Sequence, residues 1–220
     1  MKVSDAVDSR LSVRAFLPDP IPRETLLRVL ERAARAPSGG NVQPWIVTLL
    51  DGDALARFRA VMAPRIEAGE TDETEYEIYP PSLWEPYRSR RFGVGEDMYA
   101  RLGIARGDKA ARLEWLKNNY RFFGAPAALF CHVDRRMGPP QWSDLGMYLQ
   151  TVMLLLREEG LDSCAQEAWA RHHTVVDAFV APPEGTMLFC GMAIGRRDPA
   201  APVNALRSAR APREEWLRVM

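Results

Sequence analysis

Arg10-Leu11-Ser12-Val13-Arg14 sets two guanidiniums and a hydroxyl at alternate positions. Along an extended chain alternate side chains point the same way, so Arg10, Ser12 and Arg14 would share one side. Paired charge-assisted donors of this kind suit a phosphate, although the same residues also make a solvated basic face. A second stretch, Pro37-Ser38-Gly39-Gly40-Asn41-Val42-Gln43-Pro44-Trp45, lets backbone come close to a ligand, with Asn41 and Gln43 offering both donors and acceptors. Alone it also reads as a helix-ending turn. The chain has neither GxGxxG nor GxxxxGK[ST], so the usual dinucleotide and P-loop patterns do not apply. The densest positive cluster is Tyr87-Arg88-Ser89-Arg90-Arg91, which suits either an anionic group or a plain surface.

Other reactive residue types carry less. His132 falls in an apolar run and reads as a core histidine, while His172-His173 opens an exposed helix without a carboxylate or cysteine in an obvious ligand pattern, so no metal is expected. Cys164 has nothing beside it in sequence to lower its pKa, and packing is its expected role. Cys131, Cys164 and Cys190 are odd in number, widely spaced and lack a CxxC, which argues against a disulfide framework and a zinc site. With 29 basic and 29 acidic residues the net charge is zero, so no global field steers the protein to nucleic acid or an anionic membrane. The N-terminal residues include Asp5 and Asp8 where a secretory signal needs an apolar core, so a cytoplasmic location is expected.

The elements that must position these residues follow from periodicity and punctuation. A short helix over 2–9 delivers Arg10, and Pro18-Asp19-Pro20-Ile21-Pro22 stops and restarts the chain. Leu26, Leu27, Leu30, Ala33 and Ala34 then recur at helical spacing, with Arg23, Glu24, Arg28, Glu31, Arg32 and Arg35 outside, up to Pro37. A strand over 46–50, a turn at Asp51-Gly52-Asp53 and a helix over 54–68 come next. Residues 67–95 lack a useful period and predict a surface excursion, followed by short helices over 96–105 and 107–121. Residues 126–133 predict a buried strand. The next helix, capped by Ser143 and Asp144 and ended by Gly160, carries Leu145, Leu149, Val152 and Leu156 on one stripe. Met147, Tyr148, Met153, Leu154 and Leu155 make it apolar on nearly every side, which predicts burial in a core or a subunit interface. It is too short and too polar at Gln150 and Thr151 for a membrane span. A loop over 161–169, a helix over 171–180, a strand over 186–194 and an extended arginine-rich tail over 195–220 complete a single domain, 1–220, with a variable cap at about 67–121. No repeat or linker divides it.

Taken in order, Arg-x-Ser-Val-Arg-Ala-Phe at 10–16, a proline-started helix, and Ala-Pro-Ser-Gly-Gly-Asn-Val-Gln-Pro-Trp at 36–45 leading into a strand resemble the N-terminal signature of the FMN-dependent nitroreductase family. The resemblance continues at Gly160-Leu161-Asp162-Ser163-Cys164-Ala165-Gln166-Glu167-Ala168-Trp169, at Ala193-Ile194-Gly195, and at Asn204-Ala205-Leu206-Arg207-Ser208-Ala209-Arg210-Ala211-Pro212. It implies an α+β, nitroreductase-like fold: a central mixed β-sheet flanked by helices, with a C-terminal tail wrapping the partner of a homodimer that holds FMN at its interface. NADH or NADPH would donate hydride in a ping-pong cycle to flavin N5, and a small electron-poor aromatic would accept it, a nitro group going to hydroxylamine.

By the same resemblance, Arg10, Leu11, Ser12, Val13 and Arg14 grip FMN, with Arg10 and Ser12 towards its phosphate and ribityl chain and Arg14 towards the pyrimidine edge. Pro37, Ser38, Gly39, Asn41 and Gln43 form the loop that reaches the FMN of the opposite subunit. Ala165, Gln166, Glu167 and Ala168 lie on the flavin face, with N–H groups near Glu167 and Ala168 meeting N5 and O4; Ala165 and Ala168 stand where proline and glycine are frequent in the family. Arg207 and Arg210 complete the phosphate site. Gly138-Pro139-Pro140-Gln141-Trp142-Ser143-Asp144-Leu145-Gly146, with Tyr87, Arg88, Arg90 and Arg91 as substrate contacts, points to the nitrobenzoate-reductase branch. The chemistry is expected on the cofactor, with protons from solvent and no protein acid. The same flavin chemistry on quinones, enones or halogenated aromatics, or flavin binding without turnover, stays open at this point.

Overall fold

In chain order the computed structural model, which describes residues 1–220, runs α1 (Val3–Ser9), α2 (Arg23–Ala33), β1 (Ile46–Asp51), α3 (Gly52–Ala68), α4 (Tyr87–Arg101), α5 (Lys109–Leu116), β2 (Ala127–Asp134), α6 (Pro139–Glu158), β3 (Asp162–Gln166), α7 (His173–Val180) and β4 (Thr186–Gly195). Short 3-10 turns at Gly39–Asn41, Lys117–Gly124, Glu167–His172, Pro202–Ala205 and Arg213–Glu215 join them. The strands lie in the order β1-β2-β4-β3 and every named pair is antiparallel. A parallel bridge from Ser12 to Ser163 extends the β3 edge, and the sheet's mixed character rests on that bridge alone.

A strand apolar on both faces must be covered on both, and β2 is that strand. Ala127, Leu129, Cys131 and Val133 face a core shared with Leu26, Val29 and Ala33 of α2 and Leu145, Leu149, Val152 and Leu156 of α6. Ala128 and Phe130 face the other way, into a core of Leu55, Phe58 and Met62 from α3, Phe122, Trp169, and Val176 from α7. The molecule is therefore helix, sheet, helix in three layers. No helix is long and apolar enough to cross a membrane.

Several expectations are corrected. On α2 the inward stripe is Leu26, Val29, Leu30 and Ala33, a true i, i+3, i+4, i+7 set, while Leu27 and Ala34 face outward. Helix α4 begins inside the predicted excursion, at Tyr87 after Pro86, and the carboxylate of Glu85 just before it accepts from Ser89 N–H at 3.3 Å. The helix predicted over 96–105 is the second half of α4, and that over 107–121 is α5 followed by a 3-10 turn. α6 starts at Pro139, a residue suited to the first helical position, with Gln141 Oε1 accepting from Gly138 N–H, so Ser143 and Asp144 are not its caps. Nor is α6 buried all round within one chain, since Met147 is 38% exposed and Leu154 half-buried. Residues 162–166 form β3 rather than a loop.

Two details of β4 shape what lies over it. The register with β2 passes from Cys131–Cys190 to His132–Leu188, leaving Phe189 as the extra residue of a bulge. Phe189 packs with Tyr76 and Trp142 instead, at ring separations of 6.3 and 6.1 Å. Gly191 lies beneath the wholly buried Trp169, where a Cβ would stand 2.3 Å from indole Cδ1. Gly191→Ala must displace a side chain enclosed by Phe58, Phe122 and Phe130, and is expected to cost about 1–3 kcal/mol as overpacking. Urea unfolding measures this; an unchanged midpoint would show that the indole has room to move.

Candidate functional site

The predicted cofactor residues fall mainly in three segments, the first two held by groups that sequence patterns do not reveal. The first is the strand after α1. Asp162, buried at the start of β3, accepts from Arg157 Nη1 at 2.7 Å and from Arg197 Nε at 2.9 Å. Both arginines also hold Ser9: Arg157 Nε donates to its Oγ and Arg197 Nη2 to its carbonyl, each at 3.2 Å. Ser9 is thus pinned immediately before Arg10. Beyond it, Val13 N–H donates to Ser163 O at 3.1 Å and Arg14 N–H to Asn204 Oδ1 at 2.9 Å, while Asn204 Nδ2 donates back to Ala15 O at 2.8 Å.

The result is the alternation expected of 10–14. Val13 is wholly buried and Leu11 partly so, whereas Ser12 is exposed and Arg10 and Arg14 are half-open. Neither arginine has a carboxylate partner within the chain; Arg14 only donates to Ser12 O at 3.2 Å. Their positive charge reaches Cys164, whose thiol pKa is nonetheless raised because burial outweighs Arg14 and Arg10. Cys164 therefore stays a neutral packing residue. Behind the strand, Ser163 Oγ is buried without a partner. Arg207 reaches the same end of α1, its Nη1 donating to Asp8 O at 2.7 Å, but Arg210 folds back on Ser208 and Ala209.

The second segment is the loop after α2. Gly40, Asn41 and Gln43 take left-handed φ values of 57°, 59° and 51°, a conformation that glycine and asparagine adopt at low cost. Gln43 N–H donates to Ser38 Oγ at 3.0 Å and Gln43 Nε2 to Asn41 O at 3.1 Å, so these polar groups serve the turn itself. The loop is fastened to α6 by Gly39 N–H, 3.3 Å from both oxygens of buried Asp144. Pro37, Gly39 and Asn41 remain exposed, and the Asn41 side chain makes no bond within the chain.

At the other end of β3, Ala165 and Glu167 are exposed and Ala168 half-buried. Gln166 points inward: its Nε2 donates to Asn119 O at 2.6 Å and its Oε1 accepts from Trp169 Nε1 at 3.4 Å. Glu167 and Ala168 open a 3-10 turn, whose leading N–H groups have no partner within the turn. Burial raises both the Glu167 carboxyl and the Tyr76 phenol, and the pairing of Gln166 with Gly191 brings the end of β3 to within two residues of Phe189 on β4. Tyr76 Oη donates to Phe189 O. With Trp142, 5.6 Å away edge to face, these rings form an aromatic wall beside the 165–168 segment that sequence inspection passes over. Irregular backbone around Tyr76 and a β-bulge at Phe189 leave no period to read.

The Tyr87–Arg91 cluster lies elsewhere, along exposed α4. Arg88 pairs with Glu85 at 2.8 Å, Arg90 with Glu215 of the tail at 2.5 Å, and Arg91 lies over the Tyr79 ring at 4.2 Å. None of these contacts reaches Arg10–Arg14 or Glu167. A groove of about 350 Å³ lined by Pro18, Ile21, Asp51, Leu55, Arg59 and Pro126 also holds none of the predicted residues.

Comparison with known proteins places this geometry in context. The family model described as "Nitroreductase family" matches residues 7–196. A 4-nitrobenzoate reductase of Pseudomonas putida is 35% identical over 204 residues, covering 93% of this chain and 89% of that protein. An FMN- and NADPH-dependent nitroreductase from Sphigopyxis sp. strain HMH has a structure with a TM-score of 0.95 and 48% identity, covering 100% of this chain and 99% of that one. An FMN-dependent nitroreductase from Mycobacterium smegmatis, solved in complex with NADPH, has a TM-score of 0.91 and 30% identity over 100% of both chains.

Asp162→Ala would leave two partly buried guanidiniums without their counter-ion. Breaking a buried pair from one side costs about 3–5 kcal/mol, and the urea midpoint should fall accordingly. A loss below about 1 kcal/mol, the range of surface pairs, would show that the cluster does not hold the Arg10 strand in place.

Proposed function

The chain belongs to the nitroreductase family, and from that premise we propose which of its residues hold the cofactor and which acceptor it reduces. It is an FMN-dependent NAD(P)H oxidoreductase acting on nitro groups. FMN, when bound, accepts hydride from the nicotinamide and delivers electron pairs to the acceptor. Everything else is supplied by the chain.

The donor set fits that cofactor. Arg10, Ser12 and Arg14 stand on one open side of a strand whose other side is anchored, and neither arginine is neutralised internally. Unpaired guanidiniums held by backbone bonds are preorganised for an anion. In this reading Arg10 and Ser12 take the phosphate end with Arg207 beside them, and Leu11 and Val13 contribute backbone. Arg14 sets fixed positive charge where electron gain adds negative charge, which favours the reduced cofactor. Ala165, Gln166, Glu167 and Ala168 lie along the ring edge, the turn at Glu167 and Ala168 offers it N–H donors, and buried Trp169 supports that turn from below.

Asp144 fastens the Ser38–Gln43 loop near the start of α6, while Arg157 fastens Ser9, the residue before Arg10, near its end. These anchors stand thirteen positions apart along the helix, about 20 Å at 1.5 Å per residue. That separation supports a homodimer in which Pro37, Ser38, Gly39, Asn41 and Gln43 of one copy complete the cofactor site of the other. The half-exposed Met147 and Leu154 of α6 and the exposed Trp216, Leu217 and Val219 of the tail supply apolar surface for such a contact. Three free cysteines suit a reducing compartment, the cytoplasm.

The proposed acceptor is a nitrobenzoate or a similar nitroaromatic. Relatives named 4-nitrobenzoate reductase support this, as does the Tyr76, Trp142 and Phe189 wall, against which a flat ring can lie. Stacking would then set the acceptor for transfer by proximity. A carboxylate clamp by Tyr87, Arg88, Arg90 or Arg91 requires these arginines to exchange Glu85, Glu215 and Tyr79 for substrate.

The purified protein should show the absorbance of oxidised flavin, bleached by NADPH without oxygen and restored by 4-nitrobenzoate. Bound flavin that stays yellow under NADPH would overturn the enzymatic reading. Arg10→Ala removes charge-assisted bonds worth about 1.5–3 kcal/mol, so FMN should bind about 10- to 100-fold more weakly by fluorescence titration; wild-type affinity would refute the phosphate assignment. Arg90→Ala should raise KM for nitrobenzoate and spare nitrobenzene if the clamp operates. An equal effect on both substrates removes the clamp.

A further inference from the structure

We propose that Glu75, His173 and Asp177 form a binding site for a first-row divalent metal ion, Zn²⁺ or a close borderline relative such as Co²⁺. The site lies at the junction of α7 with the segment between α3 and α4. One ligand atom from each residue lies within 4.8 Å of the others. Asp177 follows His173 by one helical turn, which sets both on one face of α7. Glu75 comes to them from almost a hundred residues earlier, so no local pattern announces the set.

The hydrogen bonds define what each residue presents. His173 Nε2 lies 3.1 Å from Glu73 O. A carbonyl only accepts, so Nε2 bears the hydrogen, and in the neutral ring Nδ1 presents a lone pair. That lone pair faces Glu75 Oε2 at 3.5 Å, an oxygen that is buried and has no hydrogen-bond partner. The other oxygen of Glu75 is taken by Arg135. Asp177 Oδ1 is bonded to Nε2 of the wholly buried His132 at 2.9 Å, which fixes the carboxylate and leaves its second oxygen free. Three acceptors therefore converge with no donor among them. Each has its outer partner, Glu73 O, Arg135 or His132, as metal ligands do.

One imidazole nitrogen with two carboxylate oxygens suits borderline metals; magnesium and calcium prefer oxygen throughout. Ligands about 2.0–2.2 Å from zinc require these side chains to draw in by about 1 Å. Two carboxylates against the one guanidinium of Arg135 leave net negative charge for the ion. Side-chain exposures of 15% for Glu75 and 17% for His173 allow it to enter.

Such an ion would clip the 70–80 segment to α7. Asp72 begins that docking, accepting from Thr174 N–H at 3.1 Å and from Thr174 Oγ1 at 2.7 Å. The neighbour of Glu75 is Tyr76, part of the aromatic wall beside Glu167. Metal occupancy would thus stiffen one side of the acceptor site from outside it.

The competing arrangement is a protonated His173 that satisfies Glu75 without metal. Untagged, flavin-loaded protein treated with EDTA and dialysed is titrated with Zn²⁺ by calorimetry and with Co²⁺ by visible difference spectra. One saturable equivalent per chain is expected, with cobalt d–d bands and a higher Tm in Zn²⁺. His173→Gln and Glu75→Gln should each weaken binding at least about 10-fold, the scale even of outer-shell losses, and abolish the Tm rise. Absence of saturable binding to the wild type overturns the site. So does binding that either folded variant retains unchanged.

Discussion

The fold depends above all on one buried charge. Asp162 is removed from water at the start of β3, and an isolated carboxylate there would be prohibitively costly. Arg157 at the end of α6 and Arg197 after β4 neutralise it, and their remaining N–H groups reach Ser9. One cluster therefore joins the end of a helix, both strands at the sheet edge, and the residue before Arg10. An apolar core leaves sliding freedom of the order of a rotamer. Charge-assisted bonds with defined directions do not, and the Arg10–Arg14 strand needs that precision if its open side is to grip a phosphate.

α6 then acts as a spacer between two attachments. Its stripe of Leu145, Leu149, Val152 and Leu156 packs on the sheet, so its position is set by the core. Asp144 carries the Ser38–Gln43 loop at one end and Arg157 the Arg10 strand at the other. The two parts most suited to a cofactor are held apart by a rigid element within one chain. In the proposed dimer the same rigidity becomes the means of bringing one part from each copy together, and the apolar residues that one chain leaves on the far side of α6 gain a use.

The face that would meet the acceptor is built by exceptions to regular sheet structure. Gly191 admits Trp169, which supports the turn at Glu167 and Ala168. The bulge at Phe189 turns an aromatic ring out of the alternating pattern towards Tyr76 and Trp142. A regular strand would bury that ring or point it to solvent; the irregularity makes a wall. Departures of this kind are where functional surfaces are expected.

The sequence by itself determined the parts governed by local rules. Alternation at 10–14, prolines at 18–22, the apolar runs that became β1, β2 and β4, and the stripe of α6 all survive in the structure with small shifts in boundaries. The order of motif blocks was enough to indicate the family, because motif types and spacing are one-dimensional facts. The tertiary structure alone decided what depends on distant partners. Residues 162–166 look like a loop since Asp162, Ser163 and Gln166 are polar; Arg157 and Arg197 at Asp162, and Asn119 at Gln166, make the burial of those two affordable. Asp144 looks like a cap for its own helix and instead serves Gly39, 105 residues away. Tyr76 beside Phe189, and Glu75 beside His173, likewise have no local signature. Hydrogen bonds and ion pairs are satisfied in space without regard to separation along the chain, so a polar residue's sequence neighbours do not reveal its partner.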